Sequence, residues 1–452
     1  MSVSTRLMKS VALEYLEYDS VPFRWALAQG SVLAGQALWA RDVAKAFPIL
    51  SRIHRSGGSK SATRRIEQIL AAGIAKGRGG ATSPLRTYFD QHIEGATRGH
   101  LADALVADPG KLFKYRVIVT RSPRDGERGV IVVDYSYIFP LFAALFDLPA
   151  IAERYHIVLE PSWRGLCTAD ILCYANYDFP VFVQTVEPRD TAFLNALDAN
   201  FVTVPIAANW WVDHRVVAPV PGTEKDLDVV MVAGWSEVKR HWRFFKVLAG
   251  LKADGHRLKV ALVGYPQDKK REAIEDEARH FGVRDQLELH EKLPIDQVNR
   301  LLTRAKVHVL WSRKEGANRA LIEALFADVP VIARQGLGYG YAYPYVNERT
   351  GRFATEASLG RTILEVIGAP ERFSPRAWAL ANMSCQQATG VLDGVIGRTC
   401  AARGEPWTGG MAIKTVQLSH QQYWDPADAA RFEDDYAFLL EHVRRRGTSA
   451  PR

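Results

Sequence analysis

The sequence predicts an α/β protein with two Rossmann-like domains and an extra helical region at the N-terminus. Short apolar, β-branched runs alternate with helical patterns, which is typical of parallel sheets covered by helices on both faces. This alternation occurs twice, and residues 218–226, which are rich in proline and glycine, separate the two parts. A chain of 452 residues is long enough for two domains and further elements.

Residues 1–110 are predicted to be a basic helical region, either part of the first domain or appended to it. They show no clear strand pattern. Residues 1–80 carry 12 lysines and arginines against five acidic residues, so they hold most of the chain's formal net charge of +8. This asymmetry indicates an anionic partner surface, either a membrane or a nucleic acid.

Within this region, residues 38–55 have the spacing of an amphipathic basic helix, with Trp39 and Phe47 on its apolar side. One interpretation is peripheral contact with an anionic membrane. The alternative is an ordinary helix packed on the first domain, with its basic face in solvent. No run reaches the ~18 apolar residues of a membrane span, and the acidic N-terminus does not fit a signal peptide. We therefore expect a cytoplasmic protein, either free or on the inner face of the membrane.

The first domain is predicted over residues 111–217, and 218–226 form the linker. The second domain, 227–383, shows the clearer alternation, and 384–452 form a helical tail with a helix at 427–443. Strands are expected at 115–120, 129–134, 156–160, 180–186, 201–204, 228–233, 258–263, 287–289, 307–311 and 329–333. Ligands of such sheets bind at the carboxyl ends of the strands, so a cleft between two such edges is expected.

The most informative window is residues 307–333, where a strand is followed by Glu315, Gly316, Ala317 and Asn318 and then by a helix. Gly316 allows close approach of the backbone to a ligand, and free amides at a helix start favour an anion. Glu323 lies among apolar residues, where a charge without a partner is costly. Two carboxylates beside a phosphate site suit a sugar nucleotide, because carboxylates accept hydrogen bonds from paired hydroxyls. The alternative is that both glutamates are ordinary solvated helix residues.

The segment EGANRALIEALFADVPVIA resembles the E-x7-E signature of retaining glycosyltransferases of family 4, which have the GT-B fold. VVMVAGWSEVKRHWRFFKVL resembles the first strand and phosphate loop of the family's nucleotide domain, and VALVGYP resembles its next strand. ADILCYANYDFPVFVQTVEPRD resembles the end of its acceptor domain. The similarity covers roughly residues 168–366 and implies that the first domain binds the acceptor and the second the donor, with the tail crossing back to the first.

The resemblance implies a role for each matched residue. Glu315 corresponds to the glutamate that contacts the donor sugar, and Glu323 to the one that binds the ribose. Lys239 corresponds to the lysine that neutralises the diphosphate leaving group. The remaining donor-site residues are the glycines that end two strands and the loop whose amides hold the diphosphate: Gly234, Gly264, Gly316, Ala317 and Asn318.

Two positions depart from the family pattern. The family usually has an arginine directly after the glycine of its first strand, whereas Trp235 follows Gly234 here. Arg240 or Arg313 could supply that second cation. The family's acceptor domain often ends a strand with Thr-Val-His, and here the histidine is replaced by Glu187. Glu187 either binds or deprotonates the acceptor, or is a structural carboxylate paired with Arg189.

The predicted reaction is transfer of a sugar, with retention, from a nucleotide-diphosphate sugar to a glycan or lipid-linked glycan in envelope polysaccharide or glycolipid synthesis. The resemblance implies no metal and no cofactor, and the four cysteines contain no CxxC pair. One alternative is a sugar-nucleotide epimerase or phosphorylase of the same architecture. Another is a basic nucleic-acid-binding protein, although no recognition motif is present, so no nucleic acid is expected as a partner.

Overall fold

The structure is a computed structural model that describes residues 3–16, 20–78, 83–98, 100–185, 187–336, 345–417 and 420–444. The chain forms two compact units, and each combines two separate segments. The five-stranded unit consists of Pro22–Trp211 and Cys385–Arg452. The six-stranded unit consists of Met1–Val21 and Val212–Ser384. The predicted region 1–110 is therefore divided, because its first 21 residues belong to the six-stranded unit.

The sheet of the five-stranded unit has the order β1-β2-β3-β4-β5. β1 is antiparallel to β2, and the other neighbours are parallel. The predicted strands at 129–134 and 201–204 coincide with β2 and β5. The strands are β1 (Val117–Arg121), β2 (Gly129–Asp134), β3 (Tyr155–Glu160), β4 (Val181–Gln184) and β5 (Phe201–Val204).

Side chains of β2 alternate between two buried faces, which explains its uninterrupted apolar sequence. Ile131 and Val133 pack with the N-terminal helices, whereas Val130 and Val132 pack on the opposite face, in the same cluster as Leu392 of the tail. The helices in the first 211 residues are α1 (Val3–Glu14), α2 (Val21–Trp39), α3 (Val43–Ser56), α4 (Lys60–Arg78), α5 (Pro84–Gly95), α6 (His100–Ala107), α7 (Lys111–Tyr115), α8 (Ile138–Leu145), α9 (Leu148–Arg154), α10 (Ala169–Leu172) and α11 (Pro188–Ala196).

The sheet of the six-stranded unit is parallel throughout and has the order β11-β10-β9-β6-β7-β8. Its strands are β6 (Leu227–Val232), β7 (Val260–Gly264), β8 (Leu287–Glu291), β9 (Ala305–Leu310), β10 (Val331–Arg334) and β11 (Gly351–Ala354). The helices beside them are α12 (His241–Ala253), α13 (Arg271–His280), α14 (Ile295–Arg304), α15 (Arg319–Phe326), α16 (Leu359–Gly368) and α17 (Pro375–Met383).

The end of the chain differs from the sequence prediction in two ways. A long helix and an antiparallel hairpin precede the last helices, and the helix predicted at 427–443 is divided at Phe432. The elements are α18 (Cys385–Arg403), β12 (Lys414–Gln417), β13 (His420–Tyr423), α19 (Asp428–Arg431) and α20 (Glu433–Glu441). One side of α18 packs on the five-stranded sheet through Leu392 and Ile396, both fully buried.

Residues 38–55 fit the second of the two interpretations, packing on the first domain, although they do not form one continuous helix. The segment contains a break, since α2 ends at Trp39 and α3 begins at Val43, where the carboxylate of Asp42 accepts from the Lys45 amide at 3.1 Å. Phe47 is 2% exposed and belongs to the core of the five-stranded unit, so it cannot insert into a lipid surface. Large exposed apolar side chains occur instead on α2, for example Trp25 at 55%.

Within the described ranges, no helix combines the length and the apolar character needed to cross a membrane.

Candidate active site

Three neighbouring strands of the six-stranded sheet carry the predicted donor-site residues on the loops after their carboxyl ends. β9, β6 and β7 are adjacent and parallel. Because the carboxyl ends of parallel strands meet at one edge, the loops after β6 and β9 lie side by side. The Arg313 amide donates to the Val238 carbonyl at 2.7 Å and joins these two loops directly.

Lys239 and Glu315 form an ion pair at this edge. Lys239 lies in the single 3₁₀ turn after β6, and Glu315 lies between β9 and α15. The Nζ of Lys239 donates to Oε1 of Glu315 at 2.6 Å, and the side chains are 18% and 6% exposed. The structure thus brings together the two residues for which the sequence predicted the leaving-group and sugar contacts.

The other two predicted cations, Arg240 and Arg313, share one carboxylate that the sequence analysis did not identify. Glu14, the last residue of α1, accepts from Arg240 at 3.0 and 3.2 Å and also pairs with Arg313. Arg243 joins the same carboxylate at 2.7 Å. Burial alone would raise the pKa of Glu14, but the charges of Arg240, Arg313 and Arg243 hold it below its ordinary value.

Arg240 has a backbone conformation that arginine rarely adopts. Its φ of 56° and ψ of 40° lie in the left-handed region, and it is the N-cap residue directly before α12. Such a conformation costs roughly 1–3 kcal/mol and persists only where surrounding contacts hold it. Here the buried ion pair with Glu14 supplies such a contact.

The two predicted strand-end glycines have different surroundings. A Cβ on Gly264 would lie 2.4 Å from the carbonyl of Ala233 and from Nε1 of Trp235, so the position has no room for a side chain. A Cβ on Gly234 would lie 2.8 Å from the flexible side chain of Gln267. Trp235, which stands where the family has an arginine, is fully buried in the core of the six-stranded unit.

In the loop before α15, Asn318 is already used by the fold. Its side chain caps the helix by accepting from the Leu321 amide at 2.8 Å, and its own amide donates to the Gly316 carbonyl at 3.0 Å. The sequence predicted that the amides of Gly316, Ala317 and Asn318 bind the diphosphate. The Asn318 amide can do so only if its hydrogen bond to the Gly316 carbonyl breaks.

Glu323 is a buried carboxyl on α15, as its apolar sequence context indicated. It is 7% exposed, and burial raises its pKa above the ordinary value, while Arg319 at 3.6 Å opposes that rise. A buried carboxylate is costly unless hydrogen-bond donors surround it. A pair of ligand hydroxyls would provide such donors.

Glu187 lies in the five-stranded unit at the start of α11, and Val186 before it is outside the described residues. Its carboxylate pairs with Arg164 at 3.0 Å, and both side chains are buried. Arg189, the partner suggested from the sequence, donates to the His54 carbonyl, and its charge also acts on Glu187. Burial raises the pKa of Glu187, and the charge of Arg164 opposes that rise.

A second charged cluster lies at the carboxyl edge of the five-stranded sheet. Asp134 and Glu160 end the paired strands β2 and β3, and Lys414 from β12 pairs with Glu160 at 2.6 Å. Both partners of this ion pair are 1% exposed. Burial and the charge of Glu160 raise the pKa of Asp134 to about 7, while Lys414 and Arg116 oppose that rise. The sequence analysis missed this cluster, because Lys414 is remote in the chain.

Among the described residues, His156, Cys400 and Glu405 bring possible metal-ligand atoms within 4.8 Å of one another. Burial lowers the pKa of His156 to about 3, so the ring is neutral, as a ligand must be. However, the Glu405 carboxylate pairs with Arg403 at 2.8 Å and with Arg128. The positive charges of Arg403 and Arg128 beside Glu405 would repel a metal cation. The three residues therefore fit a metal site poorly.

Near Lys239, the sequence analysis named Arg240 but missed Arg243 and Glu14. One signal was usable, because two arginines at a helix start are unfavourable beside the helix dipole unless an anion is near. Nothing in the sequence identifies Glu14 as that anion, since it lies 226 residues before Arg240.

Residues 218–358 match the protein family described as glycosyl transferases group 1. This segment contains the loop with Lys239 and the window with Glu315 and Glu323. The match supports the resemblance to glycosyltransferases for this part of the chain. Together with the two parallel-sheet units, it confirms the predicted fold class.

The chain is also similar to several solved structures. Sucrose-phosphate synthase from Thermosynechococcus elongatus is 14% identical, with a TM-score of 0.47, over 60% of this chain and 74% of that one. TarM of S. aureus is 16% identical, with a TM-score of 0.47, over 59% of this chain and 54% of TarM.

The Anabaena protein HepE, solved with UDP and glucose, is 14% identical, with a TM-score of 0.46, over 67% and 83% of the two chains. A comparison with curated proteins finds no match. Similarities this low carry no conclusion about substrate.

Proposed function

We propose that the protein is a glycosyltransferase that moves a sugar from a nucleotide-diphosphate sugar to an acceptor glycan or lipid-linked glycan, with retention at the anomeric carbon and without a metal. The observation that carries the proposal is the 2.6 Å contact between Lys239 and Glu315. It joins a cation and a carboxylate from two adjacent loops, and both lie within the segment that matches the glycosyltransferase family.

Lys239 acts on the leaving group. As the bond between the anomeric carbon and the phosphate oxygen breaks, negative charge develops on the diphosphate. A cation already in position stabilises that charge more than it stabilises the intact donor, which is what accelerates the reaction. The ion pair holds Lys239 in one orientation before the donor arrives.

Glu315 and Glu323 act on hydroxyl groups. The Glu315 carboxylate accepts hydrogen bonds from the transferred sugar, and Glu323 accepts them from the ribose. Burial raises the pKa of Glu323 because its charged form lacks solvent, so hydrogen bonds from ligand hydroxyls would stabilise the carboxylate. Gly234, Gly264, Gly316 and Ala317 let the diphosphate approach the backbone.

In the transfer step, the acceptor oxygen forms a bond to the anomeric carbon on the face that the diphosphate leaves. The acceptor's hydroxyl proton passes to a phosphate oxygen of that leaving group, so no enzyme nucleophile is required. On the acceptor side, Glu187 is our candidate for holding the hydroxyl, since a carboxylate accepts a hydrogen bond from it.

The test is a thermal-shift screen of the full-length protein against nucleotide diphosphates and their sugar conjugates. A ligand that binds the folded protein raises the apparent midpoint of unfolding. We expect a rise with at least one nucleotide, no requirement for added metal, and loss of the rise in Lys239→Ala. The stabilising sugar nucleotide should then release free nucleotide diphosphate only when an acceptor is supplied. No shift with any nucleotide, or release without an acceptor, would contradict the proposal.

A further inference from the structure

The Glu14 carboxylate occupies an anion site built by three arginines. Arg240, Arg243 and Arg313 all form ion pairs with it, and the Glu14 side chain is 3% exposed. Arg240 directly follows Lys239 in the sequence, and Arg313 lies two residues before Glu315. The site is therefore built from the same two loops as the candidate donor site.

The helix that carries Glu14 has few other buried contacts. Leu7 is the apolar residue of α1 that is buried, at 9% exposure, whereas Met8 is 66% and Leu13 is 46% exposed. Ser10 adds one hydrogen bond to Glu237 at 2.9 Å. Because so little apolar surface of α1 is buried, the ion pairs of the Glu14 carboxylate are a major part of what holds this helix.

The arginine cluster has the chemistry of a phosphate site. Among the described residues, the three arginines Arg240, Arg243 and Arg313 form ion pairs with two carboxylates, those of Glu14 and Glu356. A phosphoryl group has more acceptor oxygens than a carboxylate and can carry a larger negative charge. Arginine binds phosphate and carboxylate with the same planar, two-pronged donor geometry. A nucleotide diphosphate can therefore replace Glu14 in the same contacts.

We infer that α1 is an autoinhibitory segment, in which Glu14 holds the place of a donor phosphoryl group and must leave before the donor binds fully. This inference rests on the proposed function, since it assigns the arginine cluster to the same nucleotide site. The donor and α1 compete, so any change that weakens α1 strengthens donor binding, and bound donor releases α1.

The test compares wild type with Glu14→Gln by titration calorimetry, using UDP, GDP, ADP and inorganic pyrophosphate. This substitution keeps the shape of the side chain but removes the charge that pairs with the arginines. We expect Glu14→Gln to bind at least one of these probes about tenfold more tightly or better. Glu272→Gln, on an exposed position of α13, is the matched control and should bind as wild type does.

A second variant, which keeps Glu14, shows whether tighter binding comes from release of α1 and not from misfolding of Glu14→Gln. Leu7→Ala weakens the packing of α1 and leaves every arginine and Glu14 in place, so it should also tighten binding, by a smaller factor. Hydrogen exchange provides an independent measurement. In the wild type, amides of residues 3–14 should lose protection when the bound nucleotide displaces α1, and a merely structural Glu14 would leave them unchanged.

The outcomes separate this inference from the proposed function. If the wild type binds a nucleotide and neither variant binds it more tightly, the autoinhibitory role is refuted and the proposed function stands. If Glu14→Gln binds pyrophosphate tightly but no form transfers a sugar, the anion site stands and the transferase proposal fails. If no form binds any probe, both are refuted.

Discussion

Both sheets carry charged residues at the carboxyl ends of their parallel strands, but the two edges differ in how those charges are paired. At the five-stranded sheet, Glu160 is paired with Lys414, and both are 1% exposed. At the six-stranded sheet, Lys239 pairs with Glu315 and keeps 18% of its side chain exposed. We call the edge with Glu160 and Lys414 the sealed edge, because its ion pair is fully buried. We call the edge with Lys239 and Glu315 the open edge, because its lysine is partly exposed.

The difference shows which edge can exchange partners with a ligand. A fully buried pair can take a new partner only if the element that covers it moves, and removing one member leaves an uncompensated charge. A pair with a partly exposed lysine can be opened by a competing anion at a smaller cost. We therefore interpret the edge with Lys414 as structural and the edge with Lys239 as the site of chemistry.

The largest expected effect tests the sealed edge. Lys414→Met should lower the free energy of unfolding by about 3–5 kcal/mol, because Glu160 would remain buried without its cation. Chemical denaturation measures this change. Lys111→Met, at a position whose side chain is 47% exposed, is the control and should change stability little. A loss below about 1 kcal/mol in Lys414→Met would end the interpretation of this pair as structural.

At the open edge, Glu315→Ala should lower the turnover number by about 100-fold or more, the usual cost of losing one group that stabilises the transition state. Its effect on nucleotide affinity should be modest, because in the proposed mechanism the carboxylate contacts the sugar and not the nucleotide. Rates of nucleotide-diphosphate release measure the first effect, and titration measures the second. Glu365→Ala, with 64% of its side chain exposed, is the control. Wild-type turnover in Glu315→Ala would remove this residue from the site.

Lys239→Ala should mainly affect binding. We expect the dissociation constant for the nucleotide diphosphate to rise about 10- to 100-fold, since a charge-assisted hydrogen bond is worth about 1.5–3 kcal/mol. Lys292→Ala, on the same unit with a 70% exposed side chain, controls for the loss of a positive charge. Equal affinities for wild type and Lys239→Ala would contradict the assignment of the leaving-group contact.

The last prediction concerns the pH dependence of the sealed edge, where the change is spread over several pH units. The folded-state pKa of Asp134 is raised to about 7, so the folded protein binds more protons than the unfolded chain up to that pH. Its contribution to stability is therefore lost as pH rises toward 7, by at most about 1.4 kcal/mol per pH unit. Asp134→Asn should gain stability relative to wild type between pH 5 and pH 8, as measured by unfolding at each pH. Asp108→Asn, with 57% of its side chain exposed, should show no such gain.

The strands were predictable where both faces of a sheet are buried. The apolar run at 129–134 has no polar face, and it forms β2 with the predicted bounds. Glu323 was predictable for a related reason, because a charge within an apolar helix stands out. Such features depend on neighbours in sequence, so one sequence is enough to indicate them.

Contacts between remote residues were not predictable. β1 has the apolar composition of its neighbours but runs antiparallel to β2, a direction that composition does not determine. Glu14 and Lys414 look like ordinary surface charges in sequence, and their partners lie in other segments of the chain. The sequence left the covering of the apolar face of residues 38–55 open between a membrane and the first domain for the same reason, since an amphipathic pattern does not say what covers it.

The division of each unit into two chain segments has a consequence for synthesis. The five-stranded unit includes both Pro22–Trp211 and Cys385–Arg452. While the ribosome is still translating the middle of the message, Glu160 has already emerged but Lys414 does not yet exist. Translation of the whole second segment of the six-stranded unit therefore separates the two segments of the five-stranded unit, and the nascent Glu160 lacks its cation until Lys414 has been made.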